Sequence, residues 1–75
     1  MEIQVGLATP PHRDEAVAEF HVIRDGTVDI PAEIYRERNG QLMIGIHSVN
    51  GSGEWEFPLA TFLSAVGQGM AILEG

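Results

Sequence analysis

The side chains in this sequence that could do acid–base or metal chemistry are His12, His21 and His47 and a surplus of carboxylates. Proton transfer needs titratable groups within hydrogen-bond reach of one reacting centre, in environments that push their pKa values apart. The pairs Asp14-Glu15 and Glu54/Glu56 supply neighbouring carboxylates, but nothing in the pattern places a pocket around either, and solubilising charge is the better reading. A metal centre needs several ligands that converge from helix or loop spacing. The histidines are isolated along the chain, which favours solvated surface residues over ligands. Nucleophilic catalysis has no candidate, because cysteine is absent and Ser48, Ser52 and Ser64 lie outside any nucleophile-elbow pattern. Gly51-Ser52-Gly53 has the small residues of a phosphate cradle without the spacing or the lysine of a P-loop, so it reads as a turn. No cofactor and no metal are expected, and the chain is not expected to be an enzyme.

The elements that would position any site follow from periodicity. Ile3, Val5 and Leu7 alternate with Glu2, Gln4 and Gly6, the period of a half-buried strand, and Pro10-Pro11 end it. Residues 16–23 read as a second strand with Ala18, Phe20 and Val22 on one face; a short helix beginning at Asp14 is the weaker reading. Two similar hairpin signals follow, Arg24-Asp25-Gly26-Thr27 and Arg38-Asn39-Gly40-Gln41. A two-residue turn at Asn39-Gly40 would leave Ile34 on the face away from Leu42, Ile44 and Ile46. A three-residue loop closed by a glycine bulge instead sets Arg36 opposite Leu42, Ile34 opposite Ile44 and Ala32 opposite Ile46. The same reasoning sets Val22 opposite Val28 and Phe20 opposite Ile30 in the first hairpin, where a two-residue turn would oppose Val22 with Asp29. Left-handed glycines are therefore expected at Gly26 and Gly40, with a middle strand over residues 27–37 and an irregularity at Pro31.

Asn50-Gly51-Ser52-Gly53 reads as a flexible turn and residues 54–57 as a short strand with Trp55 and Phe57 on one side. Pro58 suits the first turn of a helix whose apolar stripe is Leu59, Phe62, Leu63 and Val66, with Gly67 as its terminator. Residues 70–73 either extend this helix or form a closing strand, and the strand is preferred. The expected fold is one α+β domain over residues 1–75, an antiparallel β-meander of about four to six strands with a C-terminal helix packed on one face.

Eleven acidic residues against four arginines give a net charge of −7. Such a chain is repelled by phosphate backbones and anionic membranes, so direct nucleic-acid or membrane binding is not expected. No window approaches the roughly 18 apolar residues of a membrane span, and the amino terminus lacks a basic region followed by an apolar stretch, so a cytoplasmic location is expected. The glycosylation pattern at Asn50-Gly51-Ser52 is then a chance match. A chain this short buries only about 60% of its unfolded surface. Without disulfide or metal reinforcement, support from a partner or a second copy is expected.

If the helix covers the face that carries Phe20, Val22, Val28, Ile30, Ile34, Leu42, Ile44 and Ile46, the opposite face presents Glu19, Ile23, Asp29, Glu33, Tyr35, Glu37 and Met43, with His21 and His47 beside them. An ordinary solvent face is one reading. The other, of equal weight, is docking on a basic protein surface, with Tyr35 as anchor and the carboxylates steering approach. The expected function is a small acidic protein-binding module, an inhibitor or regulator of a basic, nucleic-acid-handling partner, of the kind phages deploy against host defence. The alternative is a homo-oligomeric assembly subunit in which Trp55, Phe57, Ile23, Tyr35 or residues 70–73 pair with their own copies. A small-ligand or metal-dependent enzyme built on the histidines ranks third.

Overall fold

The computed structural model describes residues 1–49 and 53–75. Four strands, β1 (Glu2–Ala8), β2 (Val17–Arg24), β3 (Thr27–Arg36) and β4 (Leu42–Ile46), form one antiparallel sheet in chain order, and α1 (Leu59–Glu74) crosses back over one face. This is the α+β meander with one C-terminal helix that the periodicity predicts.

The core forms where α1 meets the middle of the sheet. Ala18, Phe20, Ala32, Ile34 and Ala65 are buried there, with Phe62, Val66 and Leu73 of the helix packed around them. Phe20 meets Phe62 edge-on, ring centroids 5.8 Å apart, the geometry that aromatic quadrupoles prefer. Gly69 lets the helix come this close: a Cβ there would stand 2.8 Å from Ile34 Cδ1 and 3.3 Å from Ala18 Cβ. α1 lies over β1, β2 and β3, and none of its Cα atoms comes within 8 Å of one in β4.

The second hairpin has the expected register, with Arg36 paired to Leu42, Ile34 to Ile44 and Ala32 to Ile46. Gly40 is left-handed at φ +87°, and the loop is closed by Gly40 N–H donating to the Glu37 carbonyl (2.8 Å) and Glu37 N–H to that of Gln41 (2.9 Å). The first hairpin departs from expectation. Its loop is two residues, Asp25 (φ +51°) and Gly26 (φ +76°), so Arg24 pairs with Thr27, Val22 with Asp29 and Ile23 with Val28. Aspartate tolerates the left-handed region, which permits the tight turn whose twist suits a hairpin. The register is restored at a bulge, where Ile30 and Pro31 together fill the place opposite His21; beyond it Phe20 pairs with Ala32 and Ala18 with Ile34. Pro31 does mark the irregularity, and its carbonyl accepts the His47 N–H at 2.8 Å.

Three further expectations are corrected. The helix runs through Gly67 to Glu74, so residues 70–73 are helical and not a strand; Leu73 packs on the core, which rewards the continuation. The inner stripe of α1 is Phe62, Ala65, Val66, Gly69 and Leu73, while Leu59 and Leu63 are 71% and 58% exposed. Residues 54–57 are irregular rather than a strand, and are held by stacking of Trp55 on Phe57 (6.1 Å) and Phe57 on Phe62 (5.1 Å). Of the turn expected at residues 50–53, all but Gly53 lies outside the described residues.

Candidate docking surface

Cross-strand partners project to the same side of a sheet, so the registers sort the expected docking residues. Glu19, Ile23, Glu33, Tyr35 and Met43 share the face away from α1, as expected. Asp29 does not: the two-residue turn sets it opposite Val22, on the helix side. Val28 changes sides with it, standing beside Ile23 at 55% exposure instead of in the core.

The connection between β1 and β2, residues 9–16, turns at Pro10, whose carbonyl accepts the Arg13 N–H at 3.0 Å. This places His12 and Arg13 over β3. Arg13 Nε donates to Glu33 Oε1 at 3.0 Å, and His12 Nε2 lies 3.2 Å from the same oxygen. Glu33 is only 7% exposed, so it is an acid in the floor of the face rather than a point on its surface. Burial alone would push the Glu33 carboxyl up; the hydrogen bonds from His12 and Arg13, with their charge, outweigh it and hold the group below the ordinary glutamate value. A general base at neutral pH needs the opposite shift. Glu33 is arranged as a fastening for residues 9–16.

Glu19 stands directly across from Glu33, a pairing that two carboxylates would disfavour. It is offset by separate partners, because Glu19 Oε1 lies 3.2 Å from His21 Nε2 while Glu33 takes Arg13. The Arg13 guanidinium also covers the Tyr35 ring, 3.6 Å from its centroid. Tyr35 lies across β4 beside Gly45, where a Cβ would come within 3.7 Å of the ring. Tyr35 and Met43 are half-buried, so the expected anchor is already occupied by the chain's own arginine.

What stays open is the end of this face. Residues 12–17 and residues 35–39 line a groove of about 670 Å³, with Asp14, Glu15 and Glu37 exposed on it. A second hollow of about 490 Å³ lies on the helix side between Ile46, His47, Ser48, Trp55, Phe57 and Leu59. The Trp55 Nε1 donor is buried near it without a partner among the described residues, and Arg24 sits 4.6 Å from the Trp55 ring. His47 is exposed just past the end of β4, and no group of three metal-ligating side chains occurs among the described residues.

Sequence reasoning missed the fastening of residues 9–16 on Glu33. Its one signal is a His-Arg pair directly after Pro10-Pro11, which could have been set against Glu33, one of two carboxylates in the middle strand. No protein-family model matches this chain, and neither a curated protein nor a solved structure is found similar to it.

Proposed function

We propose that the protein is a small, non-enzymatic protein-binding module that docks through its acidic exterior on a basic surface of a partner, as an inhibitor or regulator. The observation that supports this is the unequal use of the two charge signs. Arg13 is bound to Glu33, Arg24 lies over Trp55, and Arg36 donates to the Gly40 carbonyl at 2.8 Å. Every carboxylate except Glu19, Asp29 and Glu33 is exposed. The positive side chains are largely engaged within the fold, whereas the negative ones face outward, where they can steer association with a cationic surface.

The docking set moves with the structure. Glu19 is tied to His21 and Glu33 to Arg13, so Asp14, Glu15 and Glu37 around the groove replace them, and Tyr35 becomes the floor of the groove. The test is the triple charge reversal Asp14→Lys, Glu15→Lys, Glu37→Lys, assayed against a basic protein captured by the wild type and against an arginine-rich peptide. Wild-type binding should weaken between about 50 and 500 mM salt as the Debye length shrinks, and the triple variant should bind neither probe. Salt-insensitive binding that survives the reversal would sink the reading.

A further inference from the structure

Four strands spaced by about 4.8 Å make a sheet about 19 Å wide, and an α-helix with its side chains is about 10 Å across. The helix side of this sheet therefore has room for two helices, and it carries one. Among the described residues no helix lies over β4, where Ile44 and Ile46 are 41% and 55% exposed and Trp55 and Phe57 border the end of the strip. Along α1, Leu59, Leu63 and Met70 are also exposed and fall on one flank at 100° per residue. Leu59 lines the same hollow as Ile46, so this flank faces the strip. Strip and flank together form an apolar trough beside the helix.

We propose that the trough is filled by α1 of a second copy, the two helices lying parallel and side by side between two sheets, about a two-fold axis that runs along them. Self-association is favoured over other occupants by the composition of α1. From Leu59 to Leu73 the helix has no charged residue on any side, in a chain of net charge −7. Its outward positions, Ala60, Ser64, Gly67 and Ala71, are exposed, small and uncharged. A surface helix normally turns charged and polar residues outward, and the outward side of α1 has no charged one. The element that needs cover is thus the one able to supply it, which is the condition for an isologous two-fold contact. An anionic bilayer is the poorer occupant, because interfacial helices carry a basic polar face and this one has none.

The area is sufficient. The outer side of α1 is about 24 Å long and 10 Å across, and the strip about 17 Å by 10 Å. Allowing for the relief of side chains, this is roughly 600 Å² per copy, the lower end of stable interfaces. The carboxylates around the groove, Asp14, Glu15 and Glu37, belong to the other face, so the contact does not press them together.

The test uses the purified full chain alone, by sedimentation between about 5 and 200 µM, where an interface of this size dissociates. The wild type should dimerise, and more tightly at about 500 mM salt than at 50 mM, because screening relieves repulsion between two acidic chains. Ser64→Arg, on the outer side of α1, should weaken dimerisation at least about tenfold with the circular dichroism of the fold unchanged. Gly67 sits at the middle of α1 with open space where a side chain would go, and the chain has no cysteine. Gly67→Cys should therefore form a disulfide-linked dimer under mild oxidation, faster than a cysteine placed at Gln41. A wild type that stays monomeric at both salts, a Ser64→Arg variant that associates as tightly as wild type, or a dimer that salt dissolves would each overturn the proposal. A monomer would leave the acidic docking reading standing, since that is read from the basic probes.

Discussion

On one face of the sheet, residues 9–16 close over Glu33 with two directed contacts from His12 and Arg13; on the other, α1 packs on β1, β2 and β3 and leaves Ile44 and Ile46 bare. The centre of the polar face is covered by the chain itself. Its hydrogen bonds, 3.0 and 3.2 Å long, are directional, so its geometry is fixed by direction as well as by area. The apolar face depends on close packing at Phe20, Ala18 and Ile34, which is non-directional and here incomplete. A charged cluster can be saturated by a few side chains, whereas a flat apolar surface must be covered over its whole width.

The largest expected effect is on the packed half of the apolar face. Gly69→Val puts a branched side chain where Ile34 Cδ1 already stands, 2.8 Å from the Cβ position, and should cost about 3 kcal/mol in urea denaturation. A loss under about 1 kcal/mol would mean that α1 can lift without penalty, and the contrast between a locked and a packed face would fail.

Next comes the polar face. Glu33→Gln keeps the shape but removes the charge that receives Arg13, and should cost about 1–2 kcal/mol and speed amide exchange over residues 9–16. Because the Glu33 pKa is lowered in the folded state, its ionised form stabilises the protein above the ordinary glutamate pKa, and that contribution is lost as pH falls through the lowered value. The variant should lack this part of the wild-type acid slope. Identical slopes would show that the fastening adds nothing to stability.

The smallest effect is on the bare strip. Ile46→Ser should change the stability of the dilute chain by less than about 0.5 kcal/mol, because the side chain is 55% exposed. A larger loss under dilution would place Ile46 in the monomer core and remove the vacant half from the comparison.

The second hairpin was legible because its apolar residues can share a face in one register only, and the three-residue loop supplies it. The first carries a near-identical signal, Asp-Gly in place of Asn-Gly, yet closes differently. The bulge opposite His21 restores the apolar alignment beyond the turn, so alignment alone could not choose the loop length. Asp29 was lost from the candidate docking face for that reason. The end of α1 was misread because glycine is a terminator by local rules. Gly69 is there for a contact with β2 and β3, which only the folded chain reveals. The pairing of His12 and Arg13 with Glu33 spans 20 and 21 residues and has no periodic signature, so the covering of Tyr35 was out of reach as well.

The chain-order sheet has a kinetic consequence. Each strand hydrogen-bonds its neighbour in sequence, and the longest connection within the sheet is residues 9–16, so the meander can zip together with little loop-closure entropy at any step. Only α1 must return from the β4 edge to the far side of the sheet, over β1. Folding therefore divides into a local, rapid assembly of strands and one long-range docking of a largely apolar helix. Until that helix lands, Phe20 and Ile34 are open to water and to other unfinished chains.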